Sequence, residues 1–159
     1  MITTILIVLW FVFSAVLAYF LIKNAINNTR VFPFQDYGKT DIPYITLDVQ
    51  GVPLNMIVDT GCGISILLRN MVDKLPHENS PRQISMSALT SDSLATNVVS
   101  IPISFGKEQI VEDFALYDGE DIADFRTRYG IALHGLIGNE FMEKTGCKID
   151  FTKHALIIP

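Results

Sequence analysis

Asp59, Thr60 and Gly61 stand at the end of one apolar run, Leu54, Met56, Ile57 and Val58, and just ahead of another at residues 64–67. A carboxylate carried by a buried strand into a tight turn, beside a hydroxyl and a glycine, is suited to moving protons to and from water. Only one Asp-Thr-Gly occurs in the chain. If Asp59 is catalytic, a second carboxylate must come from a second copy of the chain. The competing reading is a plain turn in which Asp59 caps local amides and Gly61 takes a positive φ.

The elements that would position this tripeptide are short and mostly of period two. Ile45, Leu47 and Val49 alternate with Thr46 and Asp48, Gln50-Gly51 supplies a turn, and residues 52–58 return, which predicts a hairpin ending at Asp59. Leu68, Met71, Val72 and Leu75 have helical spacing over residues 67–75, Pro76 ends that run, and residues 77–82 read as a loop. Further strands are expected at 83–89, 97–105 and 109–117. Residues 119–129 suit a short helix with Ile122 and Phe125 inward. The apolar run at 131–138 is broken by Gly135 and Gly138. Asn139 is a candidate N-cap for a helix over 140–145, and Gly146 is its terminator. A closing hairpin is expected from residues 148–151 and 155–158.

Outside this region the chain of 159 residues changes character. Residues 2–22 contain no charge and would form a helix roughly 30 Å long, enough to cross a hydrocarbon core. A single-pass transmembrane helix over 1–22 is the expectation; the alternatives are a cleaved signal peptide and a buried helix. Lys23 and Arg30 follow the run, so the positive-inside tendency puts the rest of the chain in the cytoplasm. Asn27-Asn28-Thr29 fits a glycosylation sequon, which would need the opposite orientation. Residues 23–42, polar and mixed, read as a linker, and 43–159 as the folded domain. From Pro43 onward nine Lys and Arg stand against fifteen Asp and Glu, a net of −6, which argues against a nucleic-acid partner.

The strand, turn and strand around Asp59-Thr60-Gly61, followed by Gly135-Leu136-Ile137-Gly138-Asn139-Glu140-Phe141 and Ile149-Asp150-Phe151, resemble the retropepsin-like aspartic peptidases over residues 43–159. The resemblance implies a mostly β, closed-barrel fold with one or two short helices. It also implies a homodimer in which two copies of Asp59 share one proton and activate water against a peptide substrate. Thr60 would bond across the dimer axis, and Gly61 would admit backbone close to the acids. Leu136, Ile137 and Gly138 would pack under the catalytic loop and wall the pocket, and the closing strands would supply part of the dimer sheet. No cofactor or metal is required by this chemistry.

The chain departs from that pattern in two places. Cys62 and Gly63 follow the tripeptide where the family often has a small and then an acidic or serine residue; Cys62 is read as small apolar packing, with a reactive thiol as the alternative. No glycine lies between Gly63 and Gly106, so a cover over the substrate would turn at residues 89–93 on Ser, Thr and Asp. His77, His134 and His154 lack metal-ligand spacing, and His134 reads as a hydrogen-bonded structural residue. Asp150 reads as a structural aspartate, and Asp118, Glu120, Asp121 and Asp124 as a solvated acidic face. Two other functions are compatible with the sequence: a non-catalytic peptide-binding or dimerisation module on the same fold, and a zymogen in which residues 23–42 fill the cleft.

Overall fold

Alternation builds more of the chain into strands than into helices. The structure, a computed structural model, describes residues 2–36, 39–40, 42–87, 93–105, 108–119 and 129–159. Helix α1 (Ile2–Asn28) is followed by β1 (Arg30–Pro33), β2 (Tyr44–Val49), β3 (Val52–Val58) and β4 (Ser65–Leu68). A 3₁₀ helix (Arg69–Lys74), β5 (Glu78–Ser87), β6 (Ser93–Phe105) and β7 (Glu108–Tyr117) come next. The chain closes with β8 (Gly135–Ile137), α2 (Asn139–Thr145), β9 (Lys148–Asp150) and β10 (Ala155–Ile158).

The hairpin of β2 and β3 forms as the alternation predicts, burying Ile45, Leu47, Val49, Leu54, Met56 and Val58. Its two-residue turn has φ of 52° at Gln50 and 87° at Gly51, the twist that suits a tight hairpin. Asp48 Oδ1 accepts the Gly51 N–H at 2.9 Å. One seven-stranded sheet runs β2-β3-β8-β4-β7-β6-β5 and a three-stranded sheet runs β1-β10-β9. The short β8 is wedged between the strands on either side of Asp59, parallel to β3 and antiparallel to β4. The mostly β class therefore holds, but the closed barrel does not close by hydrogen bonding: among the described residues the larger sheet ends at β2 and β5.

Several local expectations yield to tertiary pairing. Leu67 and Leu68 belong to β4, paired with β7 and β8, so the helix expected over 67–75 shrinks to one 3₁₀ segment that buries Met71 and Val72. The loop expected at 77–82 is, from Glu78 on, the start of β5. Pro81 is tolerated there because β5 is an edge strand and its register breaks between Asn79 and Gln83. Residues 120–128 of the helix expected over 119–129 lie outside the described residues, as do residues 89–92 of the expected cover turn.

The expected linker is largely structured. Helix α1 continues to Asn28, and Arg30–Pro33 pair with β10 from Arg30↔Ile158 to Pro33↔Ala155. Phe34 is buried in the core, Gln35 N–H donates to Tyr44 O at 2.9 Å, and the Tyr44 hydroxyl donates to Asp36 at 2.8 Å. Residues 30–36 of the expected linker are thus bound to β10 and β2 of their own chain. A fragment of residues 43–159 should therefore melt far below one of residues 29–159. Loss of Phe34 alone removes about 3 to 5 kcal/mol, and β10 is left with an open edge; thermal unfolding of both fragments by circular dichroism checks this.

Helix α1 stands away from that core. Trp10 is 65% exposed and Phe13 67%, and the described large apolar side chains between Leu6 and Ile22 are exposed. Ser14 satisfies its hydroxyl internally, on Trp10 O at 2.9 Å. Among the described residues no helix is long and apolar enough to cross a membrane.

Candidate active site

Strand β3 delivers Asp59 into the turn, half-buried, with Thr60 and Gly61 exposed beside it. The Asp59 N–H donates to Ile137 O at 3.0 Å, continuing the β3–β8 ladder one residue past Val58↔Ile137. The carboxylate is held locally: Gly61 N–H donates to Oδ1 at 2.8 Å. This is the amide-capping turn of the plain reading, but without its positive φ at Gly61. The glycine serves close approach instead, since an added Cβ would sit 3.2 Å from Asp59 Oδ1.

Leu136, Ile137 and Gly138 lie directly behind this loop. Leu136 is flanked by Ile57 and Ile66, and Ile137 is fully buried. Gly138 is pressed against the far side of the turn: a Cβ there would lie 2.6 Å from both the carbonyl carbon and oxygen of Ile64, and 2.9 Å from Cys62 O. Gly135 is tighter still, 2.0 Å from Ile66 O. The interruptions that make residues 131–138 a poor helix are thus the points where backbone meets backbone.

Asn139 departs from its expected role as N-cap. The helix begins at Asn139 itself, Gly138 is the capping position, and no side chain caps it. The N–H groups of Asn139 and Glu140, which the first turn of a helix leaves without partners, donate instead to Cys62 O at 2.8 Å and Gly63 O at 2.9 Å. The Asn139 side chain reaches past them and donates to Thr60 O at 2.9 Å. Helix and turn therefore satisfy one another. Gly146 ends α2 in the left-handed conformation at φ 59°, as expected.

Cys62 donates its thiol to Ile64 O at 3.0 Å, and burial, with the Asp59 charge adding to it, pushes the thiol above its usual range. Those conditions hold it protonated and poorly nucleophilic, in line with packing rather than reactivity. Asp150 caps its own turn, accepting Thr152 and Lys153 N–H groups at 3.0 and 2.9 Å. Of the acidic face, Asp118 pairs with Arg69 at 2.8 Å, and residues 120–124 lie outside the described residues. Among the described residues no cluster of His, Cys, Asp or Glu is arranged to hold a metal ion.

His134 is a structural residue that stitches β3 to the segment before β8. Its Nδ1 accepts Asn55 N–H at 2.9 Å, its own N–H donates to Asn55 O at 2.9 Å, and its carbonyl accepts Leu68 N–H at 2.9 Å. Burial first, and then the Lys74 charge, hold the imidazole below its ordinary value. The fold thus favours neutral His134: its contribution is complete above the unfolded value of about 6.5 and is lost as pH falls through the lower folded one. Urea unfolding at about pH 7 and about pH 5 should show stability falling with acidification, with a smaller fall in His134→Ala.

Sequence reasoning missed Glu112. Ile110, Glu112, Phe114 and Leu116 share the inward face of β7, and Glu112 has no exposure at all. A charge at the inward phase of an apolar alternation was the available signal. Ser65 Oγ donates to Glu112 Oε1 at 2.8 Å, Lys144 Nζ donates to Oε2 at 2.9 Å, and Gly138 N–H donates to Ser65 Oγ at 3.2 Å. Burial nonetheless pushes the carboxyl up, against the lowering effects of Lys144 and Ser65.

No protein-family model matches the chain. Over 104 residues, 65% of its length, it is 31% identical to the retrovirus-related Pol polyprotein from transposon 412 of Drosophila melanogaster, of which it spans 8%. Among solved structures it is similar to a retropepsin-like aspartic protease from Rickettsia conorii, with a TM-score of 0.50 and 17% identity over 82% of this chain and 89% of that one. EIAV protease complexed with the inhibitor HBY-793 aligns with a TM-score of 0.47 and 17% identity, over 72% of this chain and 98% of that one. At 17% identity, what is shared with the Rickettsia protein is the fold.

Proposed function

We propose that this chain, which has the retropepsin-like aspartic protease fold, is an aspartic endopeptidase that works as a homodimer. The observation that carries the reading is the mounting of Asp59: its N–H is tied to β8, its Oδ1 to Gly61 N–H, and the turn is backed by Gly138. Oδ2 would face a partner and water. Two such carboxylates facing each other cannot both ionise readily, so the pair retains one proton. The unprotonated oxygen takes a proton from water as it attacks the peptide carbon, and the protonated acid donates to the carbonyl oxygen. The tetrahedral diol then collapses as the leaving amine is protonated. Water supplies the nucleophile.

Thr60, exposed at the tip of the turn, is the hydroxyl proposed to bond across the twofold axis. The closing strands enter a dimer sheet only at its margins: β10 is already flanked by β1 and β9 of its own chain, so the open edges are those of β1 and β9. We assign the uncharged part of α1, up to Ile22, as a single-pass membrane tether, supported by the exposed apolar side chains around it, with the peptidase domain in the cytoplasm because Lys23 and Arg30 follow that run. Confinement to a bilayer would raise the effective concentration of protomers and favour pairing. Substrates would be extended peptide segments bound in strand form.

The test is cleavage of a peptide library by the full chain in bilayer vesicles, with sedimentation in detergent for the oligomeric state. The reading expects cleavage that a transition-state-mimicking inhibitor blocks, from dimers. Cleavage by a strict monomer, or none by a proven dimer, would defeat it.

A further inference from the structure

We propose that Glu112 is a positioning residue for the Asp59 loop, acting through Ser65 and Gly138. The inference rests on Asp59 being the catalytic acid. A carboxylate facing inward in line with Phe114 and Leu116 is costly to take out of water, and every neighbour that offsets the cost also orients something. Lys144 Nζ, from α2, bonds both Glu112 Oε2 and Val111 O, at 2.9 and 3.2 Å. The one hydroxyl hydrogen of Ser65 is committed to Oε1. Its oxygen therefore presents lone pairs to Gly138 N–H.

The direction of that chain matters because of where Gly138 sits. One residue before it, Ile137 O receives Asp59 N–H; one and two residues after it, the N–H groups of Asn139 and Glu140 bond Cys62 O and Gly63 O. Holding Gly138 thus holds the segment that grips both ends of the turn. The other charges nearby are already occupied: Glu140 of α2 is bonded by both terminal nitrogens of Arg82 from β5, and Asp113 by Arg82 and Ser100. Glu112 is left to Lys144 and Ser65. In Glu112→Gln the amide oxygen would turn to Lys144 and the NH₂ to Ser65, which reverses the Ser65 bond and weakens its hold on Gly138 N–H.

Full-length Glu112→Gln, Ser65→Ala and the double variant are compared with the native chain for kcat, KM and exchange of the Gly138 amide. Each single variant is expected to lower kcat about tenfold with KM within about twofold, and to speed Gly138 exchange about tenfold. The double variant should be no worse than the more severe single one. A folded Glu112→Gln chain with native kcat and native Gly138 exchange overturns the proposal, as do strictly additive losses. If Glu112→Gln does not fold, Lys144→Met and Ser65→Ala give the same two readouts. If the native chain cleaves nothing, the peptidase reading fails by itself, and Gly138 exchange still decides whether Glu112 acts on the loop.

Discussion

If the chain is the dimeric peptidase proposed above, Asp59→Asn is expected to lower peptide hydrolysis by about 10³-fold or more, the scale of a lost general acid and base, while leaving fold and dimer intact. The fold survives because the amide oxygen can still accept Gly61 N–H in place of Oδ1, and the backbone bond to Ile137 O does not involve the side chain. The chemistry does not survive: a pair of amides holds no transferable proton, and a mixed Asp and Asn pair loses the alternation of acid and base. Turnover per folded dimer, with melting temperature and sedimentation as controls, measures this. An Asp59→Asn chain that complements every function of the native one would instead favour a peptide-binding or dimerisation module on the same fold.

A graded response to alanine at the glycines of the site is the second large effect. Gly135→Ala should be the most damaging, because its methyl would lie 2.0 Å from Ile66 O, and Gly138→Ala should follow, at 2.6 Å from Ile64. Both meet backbone, which can move only by parting β8 from β4 or from the turn. Overpacking of this kind costs about 1 to 3 kcal/mol and sometimes more, enough to displace the Asp59 loop or to unfold a marginal domain. Gly61→Ala meets only the Asp59 carboxylate, at 3.2 Å, and should retain the melting temperature while losing activity. Gly63→Ala has nothing within 4 Å and no positive φ, so it should behave as native. Thermal unfolding and turnover across the four variants check the order; equal tolerance at Gly135 and Gly63 would contradict the packing of β8 described above.

Local pattern alone determined the parts of this protein whose partners are near in sequence. The β2 and β3 hairpin ending at Asp59, the terminator Gly146 and the closing hairpin each depend on a period-two run or a turn residue acting within a few positions, so they are legible residue by residue. The paired motif around Gly135 and Gly138 was legible as a motif, but not what its glycines touch. Tertiary structure decided the rest. Leu67 and Leu68 carry a helical pattern yet join a sheet, because β7 and β8, far along the chain, offer strand edges. Residues 30–33 read as a polar linker yet become β1, because β10 supplies the ladder. Asn139 looks like an N-cap, but carbonyls of Cys62 and Gly63 some 75 residues earlier satisfy the helix end in its place. Glu112, passed over in the sequence, takes on a place only because Ser65 and Lys144 are brought to it. The dividing line is physical: propensity and periodicity act over one turn or one pleat, whereas hydrogen bonds and close approaches that cross the fold are settled by whichever distant segment reaches the same place.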